Sequence, residues 1–325
     1  MKNKVSILFF LVLALVSSYL IYNLNVSYKE YTDKFYYIDN FIYVKIYTND
    51  SDASKYLEEV KKIYKKYSEL INLENGFPGS KNAYYICNNK EYSDYLKLDS
   101  KLYDLINTSI TYMSDTDFDI RYGSLMLEML SSLEKGVVPE FRDIKLNDII
   151  LSNDSILNNN NCFDFSNIIH GYTNNLVKKY LESVGVNRFI IDNGGVVTLG
   201  KYYLENGKYT VGLENPNIEN DVFLTITMNN KTVSSKGSIG SSYFINDKRY
   251  SKFIDFKNKK LENNVLSVSV ISSDPIKAEV YSSILINMNV EEALDLVNKT
   301  DDMEAIFYIS NTEQILSDGF NTYIK

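Results

Sequence analysis

The chain has 325 residues, 45% of them hydrophobic and 23% charged, which is the composition of a folded protein and excludes a disordered one. Its formal net charge of −8, with a pI near 5.0, leaves no basic surplus for phosphate backbones, and no local basic patch compensates, so nucleic acid is excluded as a partner class. The single histidine, His170, excludes a histidine-rich metal cluster. Cys87 and Cys162 stand far apart without a CxxC spacing, which argues against zinc or a redox motif and leaves two readings open: one disulfide formed outside the cytoplasm, or two buried thiols.

In chain order, Lys2 and Lys4 precede an apolar run from Val5 to Tyr22 that is interrupted only by Ser6, Ser17 and Ser18. Residues 1–23 therefore read as a signal peptide or a membrane anchor, with the lysines inside and residues 24–325 outside. The alternation from Tyr36 to Tyr47 predicts a strand. Leu57, Val60, Tyr64, Tyr67 and Ile71 recur at helical spacing behind the cap candidates Ser51 and Asp52, and Leu102, Ile106, Ile110 and Met113 mark a second helix. The Asn-rich stretch from Asn147 to Asn161 reads as a loop. Tyr172, Leu176, Tyr180, Leu181 and Val184 predict a helix that stops at Gly185; a short apolar strand, Arg188 to Asp192, then runs into the turn Asn193-Gly194-Gly195.

Alternating segments from Tyr209 to Ile254 and from Leu266 to Ser272 predict antiparallel strands. Asp274 and Pro275 form an N-cap and first-turn pair for a helix reaching about Met288. A helix near Glu291 to Asn298 and strands at Ala305 to Ile309 and Glu313 to Leu316 end the chain. No internal repeat or Pro-rich linker divides residues 24–325. The expectation is one α+β unit, with mixed, largely antiparallel sheets and flanking helices, preceded by an N-terminal apolar helix.

Four segments, in this order, carry a resemblance: DTDFDIRYGSL (Asp115 to Leu125), DFSNIIHGYTNNLVKKYLESVGVNRFIIDNGG (Asp164 to Gly195), VSSKGSIGSSYFINDKRYSKFID (Val233 to Asp255) and SVSVISSDPIKAEVYSSIL (Ser267 to Leu285). Together they are similar to the motifs of the ApbE family, the FAD:protein FMN transferases. That resemblance implies FAD as substrate, Mg2+ as cofactor, and transfer of FMN to a threonine or serine of a membrane-associated or secreted acceptor protein. It also implies site residues. Glu279 and Ser283 match the family's metal-binding Asp and Thr, lie four apart on one helix face and offer hard oxygen ligands, with the main-chain oxygen of Ile169 as a third.

His170, Gly171 and Tyr172 match a Lys-Gly-Tyr, Asn193, Gly194 and Gly195 match a glycine turn, and Ser235 and Gly237 match a Ser-Gly segment, all expected to bind the nucleotide. His170 would bond a phosphate or be a packed imidazole, and it carries charge only if its pKa rises above about 6.5. Lys252 and Asp255 stand where the family has a His and an Asp near the acceptor hydroxyl, so the catalytic role falls to them. The changed residues keep two alternatives beside transfer: a flavin-nucleotide-binding surface protein without transfer, and hydrolysis of FAD to FMN and AMP.

Overall fold

The computed structural model describes residues 28–89, 94–157, 159–204, 207–237, 239–310 and 313–325. The apolar segment expected at residues 1–23 lies outside them. The chain opens with β1 (Lys29–Tyr37) and β2 (Asn40–Thr48), followed by α1 (Ser54–Ile71), α2 (Ala83–Asn88), β3 (Tyr95–Lys97), α3 (Ser100–Asp115), α4 (Gly123–Glu134), β4 (Ile150–Ser152) and β5 (Ser155–Leu157). Then come α5 (Ile169–Ser183), β6 (Phe189–Asn193), β7 (Val196–Leu199), β8 (Tyr209–Glu214), β9 (Val222–Met228), β10 (Thr232–Lys236), β11 (Ser242–Ile245) and β12 (Lys248–Ser251). The last elements are β13 (Ser267–Ser272), α6 (Pro275–Leu285), α7 (Val290–Lys299), β14 (Glu304–Tyr308) and β15 (Gln314–Leu316).

An eight-stranded sheet in the order β1-β2-β6-β7-β10-β13-β14-β15 organises the fold, and every pairing in it is antiparallel. Alternation along the strands divides its two faces. On one face Ile42, Val44, Ile46, Phe189 and Ile191 pack with α1, α3 and α5, and Val268, Val270, Ala305 and Phe307 pack with the end of α6 and with α7. On the other face Leu199, Val233, Ile271 and Ile306 meet the β8–β9 hairpin and Phe320. The β11–β12 hairpin packs apart from these, against α4. The architecture is α+β with antiparallel sheets, as the sequence indicates.

The helices of periodic spacing form where expected: α1 buries Leu57, Val60, Tyr64, Tyr67 and Leu70. Asp274 caps α6 by accepting from the Ile276 and Lys277 amides, with Pro275 in the first turn. Two local readings are corrected. The strand expected from Tyr36 to Tyr47 is a hairpin, because Ile38 and Asp39 take φ of 55° and 54° and turn the chain. The stretch expected to be a loop at 147–161 contains the β4–β5 hairpin, turning at Asn153 and Asp154, and the apolar run of α4 forms a helix that no reading anticipated. Cys87 in α2 and Cys162 form a disulfide across 75 residues of sequence.

Candidate active site

The site is built where the N-terminus of α5 meets α6. A Cβ on Gly171 would lie 2.2 Å from the carbonyl oxygen of Pro275 and 3.1 Å from the Glu279 Cβ, so only a glycine lets the two helices approach this closely. The approach brings fully buried Glu279 to the amides that begin α5: its Oε2 accepts from the Gly171 N–H at 2.6 Å. Since Ile168 offers no side-chain cap, Glu279 caps α5 from another helix, at the end where the helix dipole favours negative charge.

Its other oxygen, Oε1, lies 3.4 Å from the Nζ of Lys236, which is 6% exposed. Burial pushes the Glu279 carboxyl up; Lys236 and the Gly171 and His170 amides oppose this. The Lys236 ammonium also lies 5.1 Å from the Phe253 ring centre. Sequence reasoning missed Lys236. The signal was available: Thr232, Ser234 and Lys236 occupy one face of β10, and all three are buried. That face looks at α6, as the 2.8 Å bond between the Ser234 and Ser282 hydroxyls shows.

The other expected ligands are engaged. Ser283 Oγ donates to its own helix at the Glu279 carbonyl (2.9 Å), and the Ile169 carbonyl accepts from Thr173 Oγ1 (2.7 Å). His170 Nδ1 sits 3.1 Å from Asn193 Oδ1, and Asn193 Nδ2 donates to Thr173 Oγ1 at 3.2 Å, which fixes the end of β6 to α5. Burial, and after it the charge of Lys236, lowers the His170 pKa to about 3. The imidazole is therefore neutral near pH 7 and carries no charge for a phosphate.

Gly194 and Gly195 turn with φ of 60° and 88°. The room left by Gly194 is filled by Asn40 of β2, whose Nδ2 would lie 2.0 Å from an added Cβ. The Gly195 carbonyl accepts the Ser235 N–H at 2.9 Å, Ser235 Oγ pairs with Ser269 Oγ at 2.7 Å, and the Gly237 carbonyl accepts from Arg249 Nη2 at 2.6 Å. These positions shape the end of β10 beside Lys236. Tyr172 is not brought to the site: it packs into the main core, its ring 5.4 Å from that of Tyr67.

A cavity of about 650 Å3 adjoins the cluster, lined among others by Asp119, Arg121, Tyr122, Asp164, Asn167, Asp255, Phe256 and Ser283. Tyr122 and Phe256 stack with centroids 4.5 Å apart and planes at 10°. Arg121 is forked onto Asp119 at 2.7 to 3.1 Å. Asp255 accepts from the Asn258 amide at 2.9 Å and from its Nδ2 at 2.8 Å. The exposed Lys252 reaches solvent while the protein around its base, and then Lys236, push its pKa down against the opposing charge of Asp39. The Asp119–Arg121 pair and Asn167 are further polar groups at the cavity that sequence reasoning did not assign.

A model of the ApbE family matches residues 39–307. An FAD:protein FMN transferase of Klebsiella pneumoniae is 23% identical over 292 residues, which are 85% of this chain and 88% of that protein. One from Escherichia coli is 25% identical over 164 residues, covering 50% of this chain and 45% of that relative. Among solved structures, the flavin transferase ApbE from Vibrio cholerae superposes with a TM-score of 0.73 at 15% identity, over 91% of this chain and 100% of that one. The ApbE protein of Thermotoga maritima superposes with a TM-score of 0.75, also at 15% identity and with the same coverage. At these identities the structural likeness concerns the fold.

Proposed function

Because the chain belongs to the ApbE family over residues 39–307, we propose that it transfers FMN from FAD to a threonine or serine of an acceptor protein outside the cytoplasmic membrane. The observation that carries the reading is the cavity of about 650 Å3, whose wall joins the stacked Tyr122–Phe256 pair to Ser283 of α6 and to Asp255. Its volume suits a mononucleotide-sized ligand part, and its aromatic wall suits a planar ring. In the transfer, the acceptor hydroxyl oxygen forms a bond to the FMN phosphorus, the pyrophosphate P–O bond breaks, and AMP leaves with the electron pair. Of the carboxylates at the cavity, Asp255 takes the hydroxyl proton, and Lys252, held below the usual lysine value, stands three residues before it in sequence.

Magnesium, which the resemblance implies, does not fit the donor set. Both Glu279 oxygens already have partners, and the Glu279 charge is matched by the buried Lys236 ammonium, which stands where a cation on that carboxylate would be repelled. No step is routed through the metal. Location outside the membrane is supported by the Cys87–Cys162 disulfide, since such bonds persist in oxidising compartments. It is supported also by the lysine-flanked apolar segment near the N-terminus. Among the described residues no helix is long and apolar enough to cross a membrane.

The test is incubation of the full chain in detergent with FAD and a threonine-containing acceptor domain, followed by in-gel flavin fluorescence and assay of AMP. A fluorescent acceptor with AMP in equal amount is the expected result. AMP without labelling would make the chain a pyrophosphatase, and FAD binding with neither product would make it a binding protein.

A further inference from the structure

We propose that Lys236 is a built-in cation: its ammonium holds against Glu279 the position of a divalent ion, so that this site binds a nucleotide diphosphate without metal. The inference rests on the reading of the cavity as a nucleotide site, and it deepens that reading by changing what neutralises the charge there.

The geometry argues for it in three steps. The Glu279 carboxylate is fully buried, and its two oxygens divide their partners, Oε2 taking the Gly171 amide and Oε1 the Lys236 ammonium. A dication placed on the same oxygen would stand within a few ångströms of a second, fixed positive charge in a low-dielectric interior, where the repulsion removes much of what one carboxylate returns. Next, the Lys236 side chain is packed against Glu279. Its side chain is 6% exposed, it ends a strand paired to β13, and its ammonium lies 5.1 Å from the Phe253 ring centre.

Ser283 donates to the Glu279 carbonyl and Ile169 accepts from Thr173, bonds that leave lone pairs on both oxygens, so the exclusion of a metal rests on the ammonium at Glu279. Finally, the charge reaches the cavity. Asp164 and Ser283 line it, Asp164 feels the Lys236 charge, and Ser283 is one helical turn from Glu279. The ammonium thus offsets the Glu279 carboxylate behind the wall against which a diphosphate would lie, so that no uncompensated negative charge is left there for a metal to neutralise.

The inference is tested with the full chain in detergent. First, without nucleotide, thermal unfolding is followed in EDTA and in millimolar magnesium chloride, and manganese binding is followed by paramagnetic resonance. Wild type should show no metal-dependent rise in Tm and no bound manganese; a saturable rise or bound manganese overturns the inference whether or not the chain binds FAD. Second, FAD affinity is read by flavin fluorescence quenching. Wild-type Kd should change by less than about twofold between EDTA and magnesium, whereas tightening of about tenfold or more by magnesium overturns it.

Third, Lys236→Met removes the ammonium at similar length. It should weaken FAD binding in EDTA by about tenfold and restore part of it with magnesium, and a variant that binds as wild type in both overturns the inference. If Lys236→Met does not fold, Lys236→Arg, which keeps the charge, takes its place: it should retain metal-independent binding, and a magnesium requirement in it overturns the inference. A wild type that binds no FAD removes the proposed function, while the metal titration still decides the role of Lys236.

Discussion

Burial first, and then the ammonium groups of Lys236 and Lys252, hold the His170 imidazole down to about 3, with the Asn193 bond opposing. A histidine in an unfolded chain takes up its proton near pH 6.5. As pH falls below that value the unfolded state is protonated first, so His170 lowers stability progressively from about pH 6.5 toward 3 and has no effect on stability above that window. His170→Gln, which keeps a hydrogen-bonding side chain and cannot titrate, should remove that loss. Urea midpoints at pH 7 and at mildly acidic pH check it: the wild type should lose on the order of 2 kcal/mol more than the variant between them. Equal losses would place the imidazole in an ordinary environment. The same neutrality predicts that FAD binding shows no inflection near pH 6.5 assignable to His170.

Two junctions between elements carry the site. The first is the contact of α5 with α6, which depends on Gly171. Gly171→Ala drives a methyl to 2.2 Å from the Pro275 carbonyl oxygen and must push the helices apart. A cost of about 1 to 3 kcal/mol in unfolding free energy is expected, with weaker FAD binding as Glu279 leaves the α5 amides. The second is the turn from β13 into α6, where Asp302 accepts from Ser272 Oγ at 3.1 Å and from the Ser273 amide at 2.9 Å and pairs with Lys231.

Burial acts to raise the Asp302 pKa, but the Lys231 and Ser273 bonds outweigh it and hold the carboxyl at about 2. A depressed carboxyl stabilises above its ordinary value near 3.8 and loses that contribution as pH falls toward 2. Asp302→Asn should therefore cost about 1 kcal/mol at neutral pH, discounted for its partial exposure, and approach wild type near pH 2 in the same unfolding assay. At this scale legibility followed locality. The Asp274-Pro275 cap and the spacing of α1 are local signals and were read correctly. The β1–β2 hairpin was not, because its turn is made by Ile38 and Asp39 without glycine. The Lys236–Glu279 pair joins residues 43 positions apart through sheet register and helix placement, and no local pattern pairs them.

At the scale of the whole molecule, the family motifs made the fold legible, and they fall on the segments that meet at the candidate site. What stayed hidden is how segments distant in sequence meet, and the disulfide is the clearest case: spacing left open whether Cys87 and Cys162 pair. The bond ties α2 to the segment that leads into α5. In that segment the Cys162 carbonyl accepts the Gly123 amide at 3.0 Å, and the Asp164 amide donates to Ile120 at 2.8 Å. Those contacts align Tyr122 and Asp164 on the cavity wall.

Closing a loop of 75 residues restricts the unfolded chain by about 4 kcal/mol in the entropic account. Reduction, or the double change Cys87→Ser and Cys162→Ser, should lower the urea midpoint accordingly. It should also weaken FAD binding at denaturant concentrations where both forms remain folded, because the tie holds the segment that aligns Tyr122 and Asp164 on the cavity wall. If reduction lowers the midpoint while leaving FAD affinity unchanged, the bond serves stability alone and the wall is positioned by α3, α4 and the β11–β12 hairpin without it.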